Sequence, residues 1–344
     1  MTVLLVAYPL APVSLDAAGG AEQIVAMLDR ALTAAGHHTI VAACAGSQAA
    51  GDLVSFPIAP GLNGAARAAS QLACHGSVSE ALRRWPVDIV HMHGLDFYEY
   101  LPPPGLPVLV TLHLPVTYYP ASVFVPSRAR TWLNCVSTSQ RRTCPPSSAI
   151  LPTVENGIPL ELFPGDGAAP GDYVLALGRI CPEKGFHLAI DAAARAGAPL
   201  WLAGQTFPYP EHVEYFQRQL APRLQPPHRY LGPVGFQAKC KLLGEARCLV
   251  APSLAAETSS LVAMEAMACG APVVAFRAGA LPEVVEDGIT GFLVDDVDLM
   301  AQAIGRAPEI RRGACRRAAR GRFSATRMAE QYLSLYETCI STLS

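Results

Sequence analysis

Residues 248–276, CLVAPSLAAETSSLVAMEAMACGAPVVAF, decide how the rest of the chain is read. They open on an apolar β-type run, 248–251, which Pro252 breaks. After a polar loop, a helical run is expected over about 260–269, stopped by Gly270, and then a second apolar run over 272–276. Two short buried strands joined by one helix form a βαβ unit of a parallel sheet. Ligands of such sheets gather outside the carboxyl ends of the strands, where the loop with Glu257 falls. Ser259 or Ser260 is placed to cap the helix, whose free N–H groups and positive dipole end suit a phosphate. Glu265 lies about five residues into that helix, so at ~1.5 Å per residue it stands roughly 8 Å from the cap. That span lets one carboxylate reach a sugar and the other a ribose, on opposite sides of a bound diphosphate.

Glu257 and Glu265, with seven residues between them, sit between Pro252-Ser253 and a Glu-Ala-Met-Ala-x-Gly-x-Pro-Val-Val run. This pattern resembles the Glu-x7-Glu signature of family-4 retaining glycosyltransferases with the GT-B fold. Many members have Phe-Gly shortly after the first Glu, where this chain reads Thr258-Ser259-Ser260.

With 344 residues, 51% hydrophobic and only 16% charged, the chain has length for two domains and a large packed core. A formal charge of −2 argues against a dedicated nucleic-acid binder. No apolar run approaches the ~18–20 residues of a membrane span, and the N-terminus lacks the basic start of a signal peptide. The ten cysteines are scattered without a C-x-x-C, which reads as burial of small hydrophobes in a reduced, cytoplasmic protein.

The N-terminus reads as a strand over 3–7, a Pro-rich loop with Gly19-Gly20, a helix over about 21–35, and a strand over 38–44. Ile24, Leu28 and Leu32 fall on one face of that helix, which Gly36 ends. Glycines before a helix let backbone N–H groups approach an anion, but this is not G-x-G-x-x-G, so a dinucleotide site is poorly supported. Apolar runs over 88–93 and 107–113 each end in histidine, and strands are also expected over 133–137 and 150–155. His91-x-His93 points two imidazoles to one face, yet no third metal ligand is near in sequence. Tyr118 and Tyr119 read equally as core or as an acceptor wall. The stretch 164–172, PGDGAAPGD, reads as an interdomain linker.

Strand and helix signals then alternate: strands over 173–180, 199–203 and 229–231, helices over 186–196, 211–220 and 237–247. The first of these strands runs into Gly178 and Arg179, with Lys184 just after them, and at its carboxyl end a guanidinium fork and an ammonium neutralise a diphosphate. Asp296-Val297-Asp298 spells D-x-D but reads as a helix cap. Eight arginines between 306 and 327 read as a solvated helix face, with an anionic acceptor or membrane surface as the alternative. A last helix over about 325–340 carries Met328, Tyr332, Leu335 and Tyr336 on one stripe.

The family resemblance extends to Gly19-Gly20-Ala21-Glu22, Thr111-Leu112-His113, Asn156-Gly157-Ile158, Gly178-Arg179 with Lys184-Gly185, Gly279 with Glu283, and Gly288 with Gly291 and Leu293. It implies an α/β protein of two Rossmann-like doubly wound domains with an interdomain donor cleft. The expected domains are 1–164, completed by a crossover helix at about 325–344, and 171–324. It also implies a metal-independent retaining transferase using a nucleoside diphosphate sugar, a UDP-sugar by preference, with no cofactor and an unknown glycan, lipid or small-molecule acceptor. As implied, His113, Arg179, Lys184 and Glu257 carry the reaction. Donor contacts come from Gly19, Gly20, Gly178, Arg179, Lys184, Glu257, Thr258, Ser259, Ser260, Leu261 and Glu265. A nucleotide-sugar epimerase or a non-catalytic nucleotide-binding protein is the alternative; an oxidoreductase lacks its glycine fingerprint.

Overall fold

The computed structural model describes residues 1–61, 63–163 and 169–342. In chain order the elements are β1 (Thr2–Val6), α1 (Gly20–Ala34), β2 (His38–Cys44), β3 (Asp52–Phe56), α2 (Gly64–Arg84), β4 (Ile89–Met92), β5 (Val108–Leu112), β6 (Thr131–Cys135) and α3 (Thr138–Thr143). They continue as β7 (Val174–Leu177), α4 (Phe186–Arg195), β8 (Leu200–Ala203), α5 (Pro210–Tyr215), β9 (Arg229–Gly232), α6 (Phe236–Glu245), β10 (Cys248–Ala251), α7 (Leu261–Ala268) and β11 (Val273–Phe276). The chain closes with α8 (Leu281–Val284), β12 (Gly291–Val294), α9 (Val297–Arg306), α10 (Arg312–Arg322) and α11 (Ala325–Ser341).

These elements form two compact units, one of Met1–Gly157 with the chain from Ala325 on, the other of Ile158–Ser324. Each contains a six-stranded sheet, ordered β3-β2-β1-β4-β5-β6 in the first and β12-β11-β10-β7-β8-β9 in the second. All pairings are parallel. Counted from β9, the second sheet repeats the strand order of the first, so both are doubly wound sheets of one topology. The order reverses between β1 and β4 in the first unit and between β7 and β10 in the second. At each such switch point the connections leave in opposite directions and open a crevice at the strand ends.

The strand sequences dictate this burial. β1, β4, β5 and β10 are apolar almost without alternation, as strands covered on both faces must be. Ile24, Leu28 and Leu32 of α1 are fully buried, as their spacing predicts, and each contributes about 1.5–3 kcal/mol. Gly36, at φ +86°, adopts the left-handed turn that ends α1.

The structure corrects several expectations. Residues 150–155 form no strand; only Leu133 and Ile150 bridge, and Pro152 lacks the N–H that a longer ladder would need. Residues 47–71, for which the sequence offers no element, contain β3 and the start of α2. The buried face of α2 is mostly small (Ala66, Ser70, Cys74, Ser77 and Ala81, beside Val78), which leaves little hydrophobic signal. The helix expected over 211–220 is regular only in α5 and widens into a π turn over Phe216–Leu220. The units divide after Gly157 rather than at 164–171, and residues 164–168 of the expected linker lie outside the described residues. The arginine run is not wholly a solvated face: half-buried Arg312 donates to the carbonyl of Ala246 at 2.9 Å. Among the described residues, no helix is long and apolar enough to cross a membrane.

Candidate functional site

In the second unit the strands flanking the switch point, β7 and β10, end at Leu177 and Ala251. Gly178 follows β7 at φ +151°, and its N–H donates to the Ala203 carbonyl at 3.1 Å. Arg179 is exposed just beyond it. A 3₁₀ turn over Pro182–Lys184 then ends at Gly185, φ +63°, where a Cβ would run into the Pro252 carbonyl. Glycine is required there because the loops after β7 and β10 touch backbone to backbone. The Leu254 N–H joins them, donating to the Glu183 carbonyl at 2.8 Å.

That docking brings Lys184 and Glu257 together across 73 residues of sequence. Lys184 Nζ donates to Glu257 Oε1 at 2.6 Å, and Ser253 Oγ donates to the same oxygen at 2.5 Å. Both charged side chains are partly open, at 24% and 16% exposure. The Glu257 backbone is fixed as well: its carbonyl accepts from the Ala280 N–H at 2.7 Å. Gly279, at φ +58°, passes so close to the Glu257 backbone that a Cβ has no room.

Glu265 comes from α7 and is 3% exposed. Lys239 of α6 donates to its Oε1 at 2.5 Å. Burial pushes the Glu265 carboxyl above the ordinary carboxylate range, while the Lys239 ammonium pulls it back. The expected serine cap is absent: Ser260 occupies the N-cap position of α7 without a side-chain bond. Ser259 Oγ is buried with no hydrogen-bond partner among the described residues. Thr258 and Leu261 flank this pair at the start of α7. Asp296, by contrast, does cap α9, accepting from the Leu299 N–H at 2.8 Å.

The family model for group 1 glycosyl transferases matches residues 171–308, and that for Glycosyltransferase Family 4 matches residues 18–158. The chain belongs to glycosyltransferase family 4. Among curated proteins, D-inositol 3-phosphate glycosyltransferase of Mycobacterium sp. strain KMS is 34% identical over 164 residues, 42% of this chain and 36% of the relative. The enzyme of that name from Saccharomonospora viridis is 33% identical over 224 residues, 55% of this chain and 50% of the relative. The matches thus span half or less of these relatives' length.

Solved structures share the GT-B fold across the whole chain. AviGT4, a glycosyltransferase involved in avilamycin A biosynthesis, superposes at TM-score 0.75 with 24% identity, covering 100% of this chain and 99% of its own. Sucrose-phosphate synthase from Thermosynechococcus elongatus gives 0.78 at 21% identity, covering 98% of each chain. HepE from Anabaena, solved with UDP-glucose, gives 0.73 at 19%, covering 98% of this chain and 100% of its own.

In the first unit of this family-4 chain, the histidines form a stack on the sheet. His91 of β4 and His93 just beyond its end have ring centroids 4.0 Å apart, and His93 stacks on His113 at 5.2 Å. His93 Nδ1 and His113 Nε2 are hydrogen-bonded at 3.0 Å. His91 is bonded on both nitrogens at 2.7 Å, to Tyr336 and to Thr111, so it is a core group and not a ligand. Burial lowers the pKa of all three, that of His113 to about 4, and keeps the imidazoles neutral at pH 7. Tyr119, not Tyr118, is the buried tyrosine; its hydroxyl accepts from the His113 N–H at 3.1 Å and fixes the strand end. At the other strand end, Gly19 is the N-cap of α1, and Gly20 opens the helix. A Cβ on Gly19 would strike the Glu22 carboxylate, which lies back over that turn.

Sequence reasoning missed Lys239 and Ser253 as partners of the two glutamates, and Gly279 as the support of Glu257. An isolated Lys239 beside Cys240 carries no signal of its own, because its partner is 26 residues away.

Proposed function

We propose that the chain is a retaining glycosyltransferase that moves a sugar from a nucleoside diphosphate sugar, preferably a UDP-sugar, without a metal. The observation that carries this reading is the Lys184–Glu257 contact at the β7/β10 switch point, with Arg179 exposed beside it. A crevice at the strand ends that presents both cationic and anionic groups suits a ligand with a diphosphate and sugar hydroxyls. Arg179 and Lys184 donate to the diphosphate and offset the charge that grows on the leaving group. Glu257 orients the transferred sugar, and Glu265, held by Lys239, takes the ribose hydroxyls. Gly178 and residues Thr258 to Leu261 complete the donor contacts, while His113, Gly19 and Gly20 of the first unit keep the roles that the family resemblance implies.

The UDP preference is supported by HepE, whose structure was solved with UDP-glucose. The relatives described above are glycosyltransferases, not epimerases, and the epimerase alternative is not carried forward. A cytoplasmic location and a peripheral contact of the arginine run with an anionic surface belong to the same proposal. Incubation with UDP-sugars in EDTA, against an acceptor panel that includes D-inositol 3-phosphate, tests it. The expected product keeps the donor's anomeric configuration by NMR. An inverted product, or turnover that EDTA stops and Mn²⁺ restores, overturns the mechanism.

A further inference from the structure

A cluster outside the proposed donor contacts draws two of its three residues from the same 179–185 loop. Cys181 and Glu183 flank Pro182, and His212 comes from α5. One ligand atom from each (thiol sulfur, carboxylate oxygen, imidazole nitrogen) lies within 4.8 Å of the other two. Cys181 is 3% and His212 8% exposed, whereas Glu183 is open to solvent. Independently of that grouping, His212 Nδ1 is buried without a hydrogen-bond partner among the described residues. Buried imidazole nitrogens are nearly always paired, so an orphan beside a thiol and a carboxylate calls for a partner that accepts lone pairs.

We propose that Cys181, Glu183 and His212 form a binding site for a divalent zinc-class ion. Sulfur, nitrogen and oxygen donors together select zinc over magnesium or calcium, which prefer oxygen alone. Three protein ligands leave one position for water in a tetrahedral shell. Bond lengths of about 2.0–2.3 Å place tetrahedral ligand atoms about 3.3–3.8 Å apart, so no pair in the cluster needs to close by more than about 1.5 Å. Glu183 is exposed and can make that movement, and it also marks the entry side for the ion. Thiolate and carboxylate together balance the dication, and the Cys181 proton leaves to solvent on binding. The local geometry is fixed without an ion: Lys184 N–H donates to the Cys181 carbonyl at 3.2 Å, and the Tyr209 ring meets the His212 ring edge-on at 5.1 Å. An ion here ties α5 to the loop that carries Arg179 and Lys184.

The test uses the full chain stripped with EDTA, titrated with Zn²⁺ by calorimetry and with Co²⁺ by absorption. The expected result is one Zn²⁺ per chain with proton release, and a thiolate-to-cobalt charge-transfer band. Cys181→Ser removes that band, Glu183→Gln weakens Zn²⁺ at least about tenfold, and His212→Ala weakens it more than about 100-fold, beyond the usual cost of losing a mere supporting group. Thermal melts in EDTA establish that each variant folds. Should His212→Ala not fold, the cobalt band of the wild type and its loss in Cys181→Ser decide the matter. No cobalt–thiolate band in the wild type, or the same band and Zn²⁺ affinity in Cys181→Ser, overturns the proposal.

Discussion

Lys184 serves two anions under the proposed function, the Glu257 carboxylate at 2.6 Å and the incoming diphosphate. Removing the ammonium by Lys184→Ala therefore weakens UDP binding by about 1.5–3 kcal/mol, the range for hydrogen bonds to charged groups. Calorimetry checks this, and an unchanged affinity would refute it. Glu257→Gln acts in the other direction. It releases Lys184 from its partner and removes a negative charge from beside the phosphates, so UDP affinity stays equal or tightens. Because the carboxylate orients the sugar as positive charge develops at the anomeric carbon, kcat falls. Weaker UDP binding in Glu257→Gln, or an undiminished kcat, would show that the residue holds the nucleotide instead. The Glu-x7-Glu spacing made both glutamates legible in the sequence, since they share one contiguous stretch, Glu257 in the loop before α7 and Glu265 in α7 itself. The ion pair of Glu265 with Lys239 was not legible, because α6 and α7 meet only through the fold.

At the scale of elements, α11 is fastened to the first sheet by tyrosine hydroxyls. Tyr336 bonds His91 Nδ1 at 2.7 Å and Tyr332 bonds Thr111 at 3.0 Å, while Thr111 also donates to Asn134 at 2.7 Å. The network thus links α11 with β4, β5 and β6. Tyr336→Phe leaves a buried imidazole nitrogen unpaired and costs about 1–3 kcal/mol, measurable as a lower urea midpoint with unchanged slope. An unaltered midpoint would mean that the hydroxyl contributes no more than its ring. The apolar stripe of α11 was readable from its spacing, but its hydroxyl partners, over 200 residues away, were not. The same histidines give the first sheet a pH dependence. Their folded pKa values lie below the ordinary 6.5, that of His113 at about 4, so the unfolded chain binds more protons between those limits. Stability is therefore full above pH 6.5 and falls as pH drops towards 4, by up to about 1.4 kcal/mol per pH unit for each histidine. NMR of the imidazole protons should show His113 still neutral at pH 5.5; a midpoint near 6.5 would contradict the burial argument.

For the molecule as a whole, the chain path makes the second unit an insertion in the first. The backbone leaves the first unit at Gly157 and returns at Ala325, and on the second unit's side the Ile158 N–H donates to the Phe323 carbonyl at 2.8 Å. The two ends of that unit are therefore side by side, as in an independently folding domain. Its sheet is complete, with six strands of its own, and α4, α6, α7, α9 and α10 belong to the same stretch of chain. Arg179, Lys184, Glu257 and Glu265 all fall within it, whereas Gly19, Gly20 and His113 do not. If the diphosphate and ribose are held as proposed, residues 158–324 expressed alone should fold cooperatively and bind UDP within about tenfold of the full chain, with EDTA present. UDP at 100 times its dissociation constant should then stabilise the fragment by about 2.7 kcal/mol, read as an upward shift in Tm. The same fragment should transfer no sugar, since His113 is missing. Lys184→Ala within it should remove most of the UDP-induced shift, which separates a specific diphosphate site from general anion binding. A fragment that melts cooperatively yet shows no shift with UDP would place the nucleotide elsewhere and take the roles of Arg179, Lys184 and Glu265 with it.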